Sequence, residues 1–306
     1  MATTNVVNTY GDEVRKEDVL GLVEILTAKE TSLLNSLGKT KAINTIHSTM
    51  TDSLRTTASG AVAEEGDYTN LVRTTPSKLT NLVEIVAIPF RVSRTEQQVE
   101  QYHGENEKAR QTKKALVEWG NAAEFDLVRS TLTSGVSGTT PKMSGIIEAT
   151  SKSTNHTSQT SGVAFSASIL KGLMKENWNN SNGDVATDLY VGSYLKHIMD
   201  DFSNKTNVSY TGSNQKEIIK ALDIFESGFG RITVHTHRYV QQSGDATGRV
   251  LAIRPDKLKI AYLQRPFIDE GLARSGDYDN CAVVGKMTLE VRNQDSNWFA
   301  EGYNIG

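Results

Sequence analysis

Apolar positions along the chain fall into blocks separated by stretches that carry almost none. The first block, Asp18 to Leu37, places Leu22, Val23, Leu26, Leu33, Leu34 and Leu37 at partly helical spacing. It predicts a helix, or two broken at Thr31-Ser32, stopped by Gly38. Ala42 to Thr49 follows as a short strand, and then the core signals vanish. From Thr51 to Ser77 the chain is Thr, Ser, Gly and charge, with only Leu54, Val62, Tyr68, Leu71 and Val72 as sizeable apolar residues. A polar loop of that length is unusual inside a compact domain. The β-branched run Leu82 to Val92 brings the chain back and is expected to stop around Pro89. Two strands flanking a polar tip predict an extended, hairpin-like arm.

The next block has the clearest helical period. Ser93 and Glu96 stand at capping-box spacing. Tyr102, Ala109, Thr112, Leu116, Trp119, Ala123 and Leu127 then recur at intervals of three, four and seven. A helix running to about Leu132 is expected, roughly 50 Å long at 1.5 Å per residue. Glu148 to Gly162 reads as a polar linker. Beyond it Ser166 caps a helix carrying Ile169, Leu170, Leu173 and Met174. Leu189-Tyr190-Val191 reads as a buried strand, and Tyr194, Leu195, Ile198 and Phe202 as a helical stripe. From Ala221 the pattern is mainly β. Ile232, Val234 and Val240 are placed on one strand face, and Arg249–Ile253 and Leu258–Phe267 are strands. In Cys281–Arg292, Val283, Met287, Leu289 and Val291 alternate with Lys286, Thr288, Glu290 and Arg292.

Composition narrows the class. The 306 residues carry a net charge of −3 with charges of both signs mixed, which excludes a basic nucleic-acid binder and a disordered acidic chain. One cysteine, Cys281, excludes an intrachain disulfide, and it is expected to pack inward beside Val283. No stretch approaches the ~20 apolar residues of a membrane span, and the first residues lack the pattern of a signal peptide. A soluble α+β protein of a reducing compartment is expected, in which the sequons at Asn155, Asn204 and Asn207 carry no meaning.

Catalytic and cofactor motifs fail on spacing. Gly38-Lys39-Thr40 resembles the end of a phosphate-binding loop, but position 33 is leucine and the triplet lies between a helix and a strand in the wrong order. Ser36-x-x-Lys39 and Ser168-x-x-Lys171 match a serine acyl-enzyme pattern without its companion motifs, and Ser168 falls in a first helical turn. His235-x-His237 would put two imidazoles on one strand face, yet zinc wants three or four ligands. Exposed histidines opposite Ile232 and Val234 are the expectation. Gly228-Phe229-Gly230 is a turn, not a dinucleotide fingerprint. Asp200-Asp201 and Glu64-Glu65 are adjacent carboxylates on a solvated surface. No catalytic, cofactor-binding or metal site is expected.

The order of the blocks resembles that of tailed-bacteriophage major capsid proteins with the Hong Kong 97-type fold. Leu37-Gly-Lys-Thr-Lys-Ala-Ile-Asn-Thr-Ile-His47 with Thr51-Asp-Ser-Leu54 is similar to the entry into that family's E-loop. Asp256–Phe267, Leu272–Asp277 and Thr288–Asn293 resemble its C-terminal β segments. The resemblance implies an α+β fold with an N-terminal arm over 1–40, an E-loop over 41–93, and the spine helix of the P-domain over 94–140. An A-domain over 141–250 and the remaining P-domain strands over 251–306 complete it. It implies a non-enzymatic shell protein without cofactor, forming hexamers and pentamers of an icosahedral head around double-stranded DNA. It also implies assembly in the host cytoplasm with a portal, decoration proteins in some members, and a scaffolding protein. A separate scaffolding protein is expected, because the recognisable arm starts within about twenty residues of Met1. Some members cross-link a lysine to an asparagine of a neighbour; Lys78 is one of several candidates here and none is assigned.

Two sets of contact residues follow. On the arm, Arg55, Arg73 and Lys78 are expected to meet carboxylates of a neighbour, and Glu64, Glu65 and Asp67 its cations. On the long helix, Arg110, Lys113 and Lys114 are candidates for non-specific phosphate contact, against a solvated face balanced by Glu107 and Glu118. A cellular nanocompartment shell of the same fold and a serine hydrolase using Ser168 and Lys171 are the competing expectations.

Overall fold

The computed structural model describes residues 31–54, 61, 64–66, 74–99, 106–136, 138–153, 155–181, 183–202, 223–242, 244–273 and 276–304. In chain order the elements used below are α1 (Ser32–Ser36), β1 (Gly38–Lys41), β2 (Ile46–Thr51), β3 (Ser77–Leu82), β4 (Glu84–Ser93), α2 (Arg94–Gln98), α3 (Glu107–Arg129) and α4 (Ile146–Ser151). Then come β5 (His156–Val163), α5 (Ala167–Asn180), β6 (Asp188–Val191), α6 (Ser193–Phe202), β7 (Ile224–Ser227) and β8 (Gly230–Thr236). β9 (Gly248–Ile253), β10 (Leu258–Asp269), β11 (Tyr278–Val291) and β12 (Trp298–Tyr303) close the chain. The part of the first expected helix before Thr31 lies outside the described residues.

A four-stranded sheet in the order β1-β10-β11-β4 carries α3 on one face. Gly38 opens β1 in parallel register with Lys259, so it is not a helix stop; a Cβ there would meet only the Lys259 stem at 3.5 Å. Pro89 does not end its strand. It sits opposite Ala282 in β4, which is the sheet edge, where a residue without an N–H is tolerated. The expected returning strand of the arm, Leu82 to Val92, is instead β4 of this sheet; the strand that pairs with β2 is β3, Ser77–Leu82, drawn from the end of the expected polar tip.

The second sheet, β5-β12-β9-β6-β8-β7, is a wall between two cores. Leu189, Val191, Val250, Ala252, Trp298 and Ala300 point into the core built with α5 and α6. Their alternates Tyr190, Leu251, Ile253 and Phe299 point into the core shared with α3 and the first sheet. Period-2 alternation here divides apolar side chains between two interiors, which is why these strands read as continuous apolar runs. The expected polar linker is α4 followed by β5, an edge strand parallel to β12. Strands from both sides of residue 250 share this sheet. Ser166 caps α5, accepting from the Ile169 N–H at 3.5 Å, and Leu170, Leu173 and Met174 are buried as expected. Val240 does not share the Ile232 and Val234 face: β8 ends at Thr236, and Val240 packs in the other core.

The long helix is shorter than its pattern suggested. Ser93 starts only the five-residue α2 and makes no side-chain cap bond. α3 starts anew at Asn106, whose side chain accepts from the Lys108 N–H at 2.9 Å. Its 23 residues span about 35 Å. The buried face is Ala115, Trp119, Ala123 and Leu127 with Glu124 and Val128, while Ala109 and Leu116 are exposed. Tyr102 lies outside the described residues. Trp119 packs against β11 at Gly285, where there is no side chain; a Cβ would come to 2.5 Å from the ring. The Trp119 Nε1–H donates to the Val86 carbonyl at 3.0 Å, and Val86 is the register partner of Gly285. At the other end Arg129 grips Asp245 through two bonds of 2.9 and 2.7 Å, joining α3 to the turn before β9.

Candidate functional site

The β2–β3 hairpin projects from the body as an antiparallel pair running from Ile46↔Leu82 to Thr51↔Ser77. Alternation gives it two faces. The inner face carries His47, Thr49, Leu79 and Asn81 over the end of β11, and Ile46, Ser48, Met50, Thr80 and Lys78 form the outer one. Ile46 is 55% exposed, Met50 67% and Leu54, just beyond β2, 96%. Such apolar exposure on a two-stranded ribbon has no intramolecular use, since an isolated hairpin of this kind is marginal in water. An open groove of about 1220 Å³ separates the arm from the body, with Met50 and Ser53 on one side and Asp184, Arg254, Lys257 and Arg292 on the other.

The root of the arm is held by polar anchors. The Asn81 amide donates to the carbonyls of Ser144 at 3.0 Å and Leu289 at 2.9 Å, and its Oδ1 accepts from the Ser144 N–H at 2.8 Å. Glu290 does not face solvent as the alternation of β11 suggested; it and Thr288 are buried. The arm covers it. Glu290 accepts from Thr40 Oγ1 at 2.9 Å and Arg292 Nε at 2.9 Å, and bonds His47 Nε2 at 3.1 Å. Burial alone would push its carboxyl up, but the bonds from Arg292, Thr40 and His47 outweigh it and hold the group below its ordinary value. Where the chain leaves the arm, Glu84 accepts from Ser130 Oγ at 3.2 Å and the Met143 N–H at 3.1 Å. Burial raises Glu84, and burial with the Glu84 charge pushes Asp126 up to about 6 despite Lys142 nearby.

Of the arm residues expected to make contacts, Lys78 is exposed on β3, and Glu64 and Glu65 are exposed in a turn. Arg55, Asp67 and Arg73 lie outside the described residues. On α3, Lys113 and Lys114 are exposed, and Arg110 is half-buried. Arg110 forks onto Glu107 at 2.8 and 2.5 Å, and Lys114 lies 3.8 Å from Glu118. Both cations therefore have carboxylate partners on their own helix.

The expectation of exposed strand histidines fails at His237. It is buried just beyond β8, and its Nε2 lies 2.8 Å from a Glu124 carboxylate that is itself fully buried. His235 bonds Asp188 at 3.0 Å. Neither feature was legible, because Glu124 is one of four carboxylates on α3 and no period sets it apart from the other three. Ser168 Oγ bonds Ser166 Oγ at 2.9 Å in the first turn of α5, and Lys171 is exposed. Cys281 and Val283 are buried together as expected. Among the described residues no group of three or more His, Cys, Asp or Glu side chains could hold a metal ion, and no helix is long and apolar enough to cross a membrane.

Known structures give this architecture an identity. The chain superposes on the capsid of Myoviridae phage XM1 with a TM-score of 0.63 at 11% identity, covering 94% of this chain and 96% of that one. A structure of Mycobacterium phage Adephagia gives 0.63 at 10% identity, with 98% of each chain covered. The SrpI encapsulin of Synechococcus elongatus gives 0.61 at 9% identity, covering 99% and 97%. These likenesses show the Hong Kong 97-type capsid fold. No curated protein matches the sequence. The family model of the SU10 major capsid protein matches residues 2–303, so the chain belongs to that family of phage capsid proteins, a structural component of the virion shell and not an enzyme.

Proposed function

We propose that this capsid protein assembles as hexamers and pentamers that close into an icosahedral head, with the β2–β3 arm laid across the neighbouring subunit. The observation that carries this reading is the family match over residues 2–303 together with an arm whose apolar side chains Ile46, Met50 and Leu54 are left exposed by their own body. In the family's terms the chain divides into an N-terminal arm (1–40), an E-loop (41–93), a segment bearing the spine helix α3 (94–140), an A-domain (141–250) and C-terminal P-domain strands (251–306), of which β12 returns to the second sheet. Lys78, Arg55 and Arg73 meet carboxylates of the neighbour, and Glu64, Glu65 and Asp67 meet its cations. Each exposed pair contributes only about 0–1 kcal/mol, so closure depends on many contacts repeated around a ring. The head encloses double-stranded DNA, which a net charge of −3 suits, since the wall must hold DNA without gripping it. Arg110, Lys113 and Lys114 make non-specific phosphate contacts there. A separate scaffolding protein, a portal and decoration proteins are the further partners, and assembly proceeds in the host cytoplasm.

The likeness to an encapsulin supports a second reading, a nanocompartment shell around enzyme cargo, but the family match favours the phage head. Replacement of Arg55–Thr75 by a short Gly-Ser turn tests the arm. The shortened subunit is expected to stay soluble and folded, with nearly unchanged thermal stability, while closed shells disappear in electron micrographs. Normal shells from the shortened chain would refute the arm's role, and an unfolded subunit would place the segment in the core.

A further inference from the structure

Five-residue α1 has a capping problem and an unusual solution. Its N-cap residue Thr31 makes no side-chain cap bond, leaving the amides of its first turn without the usual local acceptor. Glu124, about ninety residues away on α3, supplies it. Glu124 Oε1 accepts from the Leu33 N–H at 2.8 Å and Oε2 from the Leu34 N–H at 2.7 Å. The same Oε1 lies 2.8 Å from His237 Nε2. His237 Nδ1 accepts the Tyr239 N–H at 3.2 Å, so Nε2 carries the hydrogen and donates to the carboxylate. Tyr190 of β6 and Tyr239 close the site, both edge-on to His237 at 5.9 and 5.8 Å, and Tyr239 packs against Phe125 of α3 at 5.7 Å. One fully buried carboxylate on α3 thus receives donors from two other parts of the chain, the root of the N-terminal segment and the loop after β8.

We propose that Glu124 is a latch that fixes the root of the N-terminal segment and the loop after β8 to α3. Leu33 and Leu37 anchor α1 in the core with Leu34 packed beside them, and the two amide bonds to Glu124 fix the first turn on α3. Charge-assisted bonds are about twice as strong as neutral ones, and a lost buried acceptor leaves its donors unsatisfied. This inference rests on the fold alone and does not depend on the shell reading, so it is tested on the full-length dissociated subunit.

Hydrogen exchange read by mass spectrometry on Glu124→Gln provides the test. An amide offers one acceptor oxygen and turns its NH₂ toward another donor, so exchange of the peptide over residues 31–37 is expected to rise about 10- to 100-fold. The peptide over residues 237–242 is expected to rise with it, while peptides of β10 and β11 keep wild-type rates. His237→Phe removes one donor and leaves the cap on α1, so it is expected to speed 237–242 alone. Wild-type exchange over 31–37 in Glu124→Gln, or an equal rise in β10 and β11, would overturn the latch. Should Glu124→Gln fail to fold, His237→Phe decides: unchanged exchange over 237–242 would overturn it.

Discussion

Replacing Gly285 by alanine adds one methyl group at the most crowded contact between α3 and the first sheet. The new Cβ would lie 2.5 Å from Trp119 Cζ2, 3.0 Å from Cε2 and 3.3 Å from Nε1. Carbon atoms prefer about 3.5–4.0 Å, so the ring must move by roughly 1 Å or β11 must bend. Trp119 is 4% exposed and has no free volume to move into without disturbing Val86 and Met287 of the same core. Overpacking of this kind costs about 1–3 kcal/mol. A tilt of the indole also breaks its bond to the Val86 carbonyl, which adds about 1 kcal/mol. Alanine's better strand propensity offsets a few tenths of this, leaving an expected loss of about 2–4 kcal/mol. Urea denaturation of the dissociated subunit, followed by tryptophan fluorescence, measures it. The partner variant Trp119→Leu is expected to lose about 3–5 kcal/mol alone, because it leaves a cavity. In the double variant leucine gives the methyl room, so the combined loss should fall short of the sum by at least about 1 kcal/mol. A Gly285→Ala subunit within about 0.5 kcal/mol of wild type, or strictly additive losses, would refute the close-approach argument.

Asp126 gives the pH test. Its folded value is raised to about 6 from 3.8, so the folded state binds the extra proton and stability rises as pH falls from above 6 toward 4. Above pH 7 the charged group costs at most about 3 kcal/mol, and about 1–2 after allowance for its partial exposure. Asp126→Asn is therefore expected to raise the melting temperature at pH 7.5 by a few degrees, and to make little difference near pH 4; equal effects at both pH values would exclude a titrating origin. Arg110, Lys113 and Lys114 changed together to glutamine are expected to reduce the DNA retained in filled heads, measured by the ratio of nucleic acid to protein absorbance. Unaltered DNA content, or an outward-pointing α3 in an assembled shell, would remove them from the DNA-facing set.

How much of this was legible in the sequence differs from part to part, and the reason is physical. Local periodicity fixes an element when one face of it meets one partner. The Ser166-capped helix α5, the stripe of α6 and the paired ribbon bounding a polar tip are of that kind, and so is the order of blocks that carries the family resemblance. Periodicity misleads when an element has two partners or none. Among the described residues the face of α3 that carries Ala109 and Leu116 is exposed, although their spacing matches the buried Trp119, Ala123 and Leu127. The second sheet feeds two cores, so residues on both of its faces are apolar. Glu290 looked solvated because its alternation says nothing about an arm arriving from 250 residues earlier in the chain to cover it. Glu124 and His237 are the extreme case. A carboxylate in a helix and a histidine after a strand carry no local sign of each other, and only the meeting of α1, α3 and β8 turns them into a buried pair with the donors each needs. The sequence by itself determined the family and the presence of an arm, but not which strand closes that arm. Tertiary structure decided which polar groups are buried, because a buried charge requires partners that only long-range packing can bring.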